Sequence, residues 1–212
     1  MIKRNFKTML VTTLVILLPI VAGLMLWDRL PEQVPFHWNI NGEVDGWATR
    51  EFAIFAMPML MAGLQWLSAY LTDKDPKKSY INNKMAVLVL WIVPTMSLLL
   101  HSMVYCTALG IDVAVELIIP MVFGALFVCI GNYLPKCRQS YVVGIKLPWT
   151  LADEGTWNAT HRFAGWSWSI SGVLVMVTAF LGNVWLPLTI FLVMLITTVA
   201  YSYLYYLKHR PA

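Results

Sequence analysis

The sequence predicts an all-α integral membrane protein with six transmembrane helices, both termini in the cytoplasm, one long outer loop and one long cytoplasmic loop. Three observations carry the prediction. Apolar residues make up 59% of the 212 positions and charged residues only 12%, about half of what a soluble domain needs to cover its surface. The apolar residues come as runs of bilayer-spanning length instead of short periodic patterns. Lysine and arginine fall almost wholly on one side of those runs.

The first span, Thr8 to Trp27, is uncharged throughout. It is longer than the apolar core of a secretory signal and no small-x-small cleavage pattern follows, so it reads as an uncleaved helix. The second span covers Phe52 to Thr72 and the third Met85 to about Leu109; the fourth lies within Val113 to Tyr133, with Glu116 near its outer end. The uncharged stretch from Phe163 to Leu207 is too long for one crossing. Gly182-Asn183, with Pro187 just beyond, supplies a turn. It divides the stretch into a fifth helix ending near Leu181 and a sixth from about Val184. The expected organisation is a two-helix unit over 1–72, with outer loop 28–50, and a four-helix unit over 73–212, with cytoplasmic loop 134–162.

Orientation follows from the basic residues, because short basic loops resist translocation. Lys3, Arg4 and Lys7 precede the first span. Lys74, Lys77, Lys78 and Lys84 follow the second; Lys136, Arg138, Lys146 and Arg162 follow the fourth; Lys208 and Arg210 end the chain. These thirteen lie on one side, against Arg29 and Arg50 on the other. Asp28, Glu32, Glu43, Asp45, Glu51, Asp112 and Glu116 gather opposite the basic set. The net charge of +4 is thus spread over segments that face anionic membrane lipid. No basic stripe with interleaved aromatics is present, so direct nucleic-acid binding is not expected.

Catalytic templates are absent: there is no H-E-x-x-H, no G-x-S-x-G and no phosphate-binding Walker loop. The chain reads as a non-enzyme with no cofactor. Cys106 and Cys129 fall in spans and Cys137 at the cytoplasmic end of the fourth, in no metal-ligand spacing and with no disulfide expected. His101 is the one titratable group deep within a span; a neutral imidazole bonded across helices is the expected state, with a proton relay as the alternative.

Only two connections have room for recognition. In the outer loop Pro31 and Pro35 keep the chain extended, and Asn41-Gly42 between Trp38 and Val44 can close a short hairpin. Trp27, Phe36, Trp38 and Trp47 suit a headgroup interface. His37, Glu43 and Asp45 are ligand types for a metal, or members of a solvated, self-capped turn, or contacts for an external ligand. In the inner loop Gly144 and Pro148 punctuate an extended piece, and Thr150 or Asp153 can cap the helix that enters the membrane. From a start near Ala152, the residues Glu154, Trp157, Asn158 and His161 recur at helical spacing and are expected to share a face. Such a face can poise a proton or bind a cation, or simply be solvated with Trp157 as its anchor. Trp149 and Glu154 are expected on a loop, outside any helix-packing seam.

At these two loops the chain resembles a known family. Leu30-Pro31, Val34-Pro35, His37-Trp38-Asn39, Gly42 and Asp45 resemble the short membrane domain that precedes the SdpI family of bacterial immunity proteins. Gly144-Ile145-Lys146, Pro148-Trp149-Thr150-Leu151, Glu154, Trp157, Thr160-His161 and Gly165 resemble that family's signature. The resemblance implies a protein of the bacterial inner membrane that protects its host against a secreted killing peptide. It also implies signalling, by holding a cytoplasmic transcriptional repressor at the membrane. On this reading His37, Trp38, Asn39, Gly42, Glu43 and Asp45 are the expected toxin contacts. Gly144, Lys146, Pro148, Trp149, Thr150, Glu154, Trp157 and His161 form a cytoplasmic motif. The alternatives are a signalling scaffold without its own toxin, and an enzyme or ion-coupled carrier that uses Glu154 and His161.

Overall fold

A computed structural model describes residues 4–77 and 83–209; Lys3, Lys78 and Arg210 of the basic set lie outside them. The chain forms two compact units, Met1–Lys74 with Asn82–Val115, and Asp75–Ile81 with Glu116–Ala212. Packing therefore groups the third span with the first two, whereas a sequence boundary after residue 72 assigns it to the second unit.

The first unit contains α1 (Phe6–Met25), a hairpin of β1 (Gln33–Trp38) and β2 (Val44–Thr49), a π-helical turn (Phe52–Ala56) running into α2 (Met57–Lys74), and α3 (Asn83–Ala108). Polar side chains hold its helices together, since apolar surface gains little by leaving one apolar environment for another. Gln65 Nε2 donates to Thr12 Oγ1 at 2.5 Å and Trp66 Nε1 to Thr13 Oγ1 at 3.1 Å, joining α2 to α1. From α3, Ser97 Oγ donates to the Ile16 carbonyl and the Tyr105 hydroxyl to the Pro19 carbonyl, both at 3.0 Å. Gly23 makes room for this contact: a Cβ there would lie 2.7 Å from the Tyr105 hydroxyl oxygen and 2.6 Å from Ile54. Each interhelical bond of this kind is worth about 0.6 kcal/mol.

Arg50, one of the two basic residues on the sparse side, has a structural task. Its Nη1 donates to the Trp27 and Leu30 carbonyls at 2.9 and 3.1 Å, and its guanidinium lies 4.2 Å from the centre of the Trp27 ring. One side chain thus ties the exit of α1 to the far end of the hairpin.

The second unit contains α4 (Val115–Tyr133) with a 3-10 turn (Leu134–Lys136), the short α5 (Pro148–Ala152), α6 (Glu154–Ala179) and α7 (Trp185–His209). Four glycines let α4 and α6 touch backbone to backbone. A Cβ on Gly172 would sit 2.5 Å from the Gly124 carbonyl oxygen, and one on Gly131 would sit 2.9 Å from that of Gly165. Aromatic rings fill the seams to α7: Phe127 stacks on Phe191 at 5.4 Å, and Phe163 on Tyr201 at 4.2 Å.

The chain is a helical membrane protein. Among the described residues five helices are long and apolar enough to cross a bilayer, namely Phe6–Met25, Phe52–Lys74, Ala86–Ala108, Val115–Lys136 and Trp185–His209. They fall where five of the six expected spans lie. The expected fifth span coincides with the later turns of α6, whose first turns carry Glu154 and Arg162 and whose uncharged portion begins at Phe163.

Candidate functional site

In the outer segment β1 and β2 pair antiparallel from Gln33↔Thr49 to Trp38↔Val44, with irregular register around His37. The Asn41-Gly42 turn closes the hairpin as its composition predicts, with Gly42 at φ +80, in the left-handed region that glycine enters without a Cβ clash. Asn39 organises the turn. Its Oδ1 accepts from the Asn41 and Glu43 backbone N–H groups at 2.9 and 3.0 Å, while its Nδ2 donates to Glu43 Oε2 at 3.0 Å. His37 Nδ1 lies 2.5 Å from Asp45 Oδ1 across the strands, with both side chains exposed.

The three groups weighed as metal ligands are thereby divided: His37 turns to Asp45 and Glu43 to Asn39. Among the described residues no three His, Cys, Asp or Glu side chains converge. Trp47 (60% exposed) and Ile40 (48%) stand out from the hairpin as bare apolar groups. Trp38 instead turns inward, where it helps to line a cavity of about 100 Å³ with Phe36, Ala53, Met57, Leu100 and His101. His101 is buried and bonded to backbone, with Nδ1 2.7 Å from the Ser97 carbonyl and a second backbone hydrogen bond at Ala53.

The inner motif folds into a buried lock. Trp157 is fully enclosed, and its Nε1 donates to the Cys137 carbonyl at 2.8 Å. His161 stacks on it at 4.0 Å, donates from Nδ1 to the Trp157 carbonyl at 2.8 Å, and accepts at Nε2 from the Ile145 N–H at 2.9 Å. An Nε2 that accepts a hydrogen bond carries no proton, so this imidazole is neutral. Gly144, at φ +120, passes over the pair where a Cβ would meet His161 Nε2 and the Trp157 ring at 2.6 Å. Thr150, also buried, accepts from the Leu147 N–H at 2.9 Å and stands within donating distance of the Ile145 carbonyl. Asp153 caps α6, accepting from the Thr156 hydroxyl and N–H, both at 2.6 Å. These bonds, the hydroxyl's first, hold its carboxyl below the ordinary carboxylate range.

Two expectations are corrected by this geometry. Glu154 and His161 line up two turns apart on α6 but do not share one environment: Glu154, the first residue of the helix, is exposed with Asn158, while Trp157 and His161 are buried. Asp153 caps α6 immediately before Glu154 and leaves that residue on the first turn, while the aromatic pair, which carries the larger apolar area, is packed further along the helix. Trp149 is not on a free loop. It belongs to α5, donates to Ser202 Oγ of α7 at 2.9 Å and packs on Tyr203, ring centres 5.1 Å apart. Lys146 and Pro148 remain exposed.

Several partners carry no sequence signal of their own. Gln139 Nε2 donates to the Thr150 and Leu151 carbonyls, each at 2.9 Å, and its Oε1 accepts from Lys77. Buried Asp75 accepts from the Ser140 hydroxyl at 2.6 Å and from the Tyr141 N–H at 3.0 Å. Burial pushes the Asp75 carboxyl up, but the Ser140 bond and the backbone bonds from Lys77, Tyr141 and Val142 together hold it below its ordinary value. The Asp75-Pro76 pair marks a turn; only the fold reveals what the carboxylate grips. Burial drives the Cys137 thiol up to about 12, so it stays protonated.

Burial pushes His161 down to about 4 from an ordinary 6.5, against the raising effect of its bond to the Trp157 carbonyl. Because the folded value is the lower one, its stabilising effect is complete above pH 6.5 and is lost as pH falls toward 4. The full loss is on the order of 3 kcal/mol. The thermal midpoint of detergent-solubilised protein should therefore fall between pH 6.5 and 4, and less steeply in His161→Gln. Parallel profiles for the two proteins would show that His161 is not the titrating group.

Residues 14–62 match a domain of unknown function (DUF1648), and residues 136–204 match the SdpI/YfhL protein family. The first match takes in the hairpin and the second most of the buried lock. The chain is 26% identical over 211 residues to the immunity protein SdpI of Bacillus subtilis (strain 168), covering 95% of this chain and 97% of that protein. No solved structure matches. The apolar helices agree with these comparisons: this is a multi-pass protein of the inner membrane whose residues 136–204 are similar to the SdpI/YfhL family.

Proposed function

We propose that this chain is an immunity protein, a binding protein and not an enzyme, that protects its bacterium against a secreted killing peptide. The observation that carries the reading is the similarity to immunity protein SdpI along nearly the whole of both chains. Six crossings with both termini inside are part of the proposal, supported by the basic bias and by the uncharged course of α6 from Phe163. The hairpin then faces outward, where a secreted peptide arrives. Trp47 and Ile40 are its exposed apolar anchors, and Glu43 and Asp45 its charges. A cationic amphipathic peptide concentrates at the membrane interface beside such a surface. A catalytic or ion-coupled use of Glu154 with His161 gains no support from a geometry in which one is exposed and the other has both ring nitrogens bonded.

Expression in a sensitive strain should raise the dose of the cognate peptide needed to kill. Changing Glu43→Gln with Asp45→Asn should lower that dose by up to about fivefold at low salt, the range of exposed charge pairs. The effect should shrink at physiological ionic strength, where screening acts over about 8 Å. Unchanged killing with wild-type protein at normal membrane levels, for each candidate peptide of the same genome, would sink the reading. Reporter fusions after Pro76 and within 32–45 test the orientation in the same strain, and finding both on one face would refute it.

A further inference from the structure

A groove of about 510 Å³ lies between α6 and α7, lined by Asn158, Arg162, Phe163 and Trp166 on one side and Tyr201 and Tyr205 on the other. Among the described residues Arg162 has no hydrogen-bond or ion-pair partner, and it is exposed. It is also the last charged residue before the uncharged run that starts at Phe163, so the groove sits where headgroups give way to hydrocarbon.

The groove face of α6 does not stop at Arg162. It continues at helical spacing through Trp166 (73% exposed), Ile170 (56%), Val173 (49%) and Val177 (57%). One stripe thus offers a cation, then an amphipathic ring, then bare aliphatic side chains, in the order in which a phospholipid presents phosphate, glycerol and acyl chain.

We propose that this groove binds an anionic phospholipid, with the phosphate on Arg162, the glycerol region beside Trp166 and Tyr201, and an acyl chain along Ile170, Val173 and Val177. A guanidinium suits phosphate because its planar fork can bond two oxygens at once. Lys208, exposed on the last turn of α7, adds to the positive field, so a headgroup with net negative charge is favoured over a zwitterionic one. The site does not depend on the immunity reading.

The test is native mass spectrometry of the full-length protein in detergent, titrated in turn with phosphatidylglycerol and phosphatidylcholine. Wild type should retain phosphatidylglycerol about fivefold better, the effect of one basic residue near a membrane surface. Arg162→Gln should bring the ratio close to one, Arg162→Lys should keep most of it, and Lys146→Gln, away from the groove, should leave it unchanged. Trp166→Ala should weaken both lipids alike. A wild-type ratio near one, or an Arg162→Gln ratio equal to wild type, would overturn the proposal. So would displacement of the lipid by inorganic phosphate, which marks a free-anion site, or a dimer abolished by Arg162→Gln, which assigns the groove to a second copy.

Discussion

Trp157→Ala is expected to cost about 3–5 kcal/mol, the range for deleting a fully buried aromatic side chain. The loss has three parts. The indole leaves a void among residues already close-packed, its hydrogen bond to the Cys137 carbonyl is lost, and His161 loses the ring on which it stacks. Trp157→Phe keeps a ring but removes the donor to the Cys137 carbonyl, and should cost about 0.5–1.5 kcal/mol for the lost hydrogen bond. Thermal unfolding in detergent should order the midpoints wild type, then phenylalanine, then alanine, with the alanine protein accumulating poorly in membranes. An alanine variant with the wild-type midpoint would mean that this motif does not hold the inner loop.

Gly172→Ala should be nearly as damaging, although it adds a single carbon. The new Cβ would stand 2.5 Å from the Gly124 carbonyl oxygen and 2.9 Å from the Val128 backbone nitrogen. Backbone atoms cannot rotate away, so α4 and α6 must part. Overpacking of yielding side chains costs about 1–3 kcal/mol, and this contact should reach or exceed the top of that range. Gly63, on α2, has nothing within 4 Å of its Cβ position and provides the control. Gly63→Ala should leave the midpoint unchanged or raise it by up to about 1 kcal/mol of stability through helix propensity. Equal midpoints for the two variants would refute a close-packed seam.

The spans were legible because burial in hydrocarbon forces long uncharged runs, and the hairpin because Asn41-Gly42 has few other uses between Trp38 and Val44. The starting point of α6 was less so. Glu154 and His161 stand two turns apart in the sequence, and two turns of a helix drift by about 20°. So small a drift keeps them in line; they differ because Asp153 caps the helix just before Glu154, leaving it exposed on the first turn, while His161 lies two turns further in, under Gly144. Gly144 itself read as a loop punctuation mark; that it lies against an imidazole and an indole depends on distant residues. Gln139, Asp75 and Ser202 could not be singled out at all, because the groups they bond are distant in the chain: the Thr150 carbonyl for Gln139, the Ser140 hydroxyl for Asp75 and the Trp149 indole for Ser202. The third span is a similar case. Its apolar run announces a crossing, and only Ser97 and Tyr105, bonded to carbonyls of α1, reveal its company.

Those two bonds also set an order of events during synthesis. Ser97 and Tyr105 follow their acceptors by 81 and 86 residues, a delay of several seconds at roughly 5–20 residues per second. Throughout that delay α1 must stay in the bilayer on the strength of its own side chains, and it is the most apolar of the five spanning helices. The least apolar of them is the one that includes α2, and it is born into different circumstances. When Gln65 and Trp66 emerge, Thr12 and Thr13 were made 53 residues earlier and already stand in the membrane as acceptors. A helix with a ready partner can carry a buried amide that the pioneer could not.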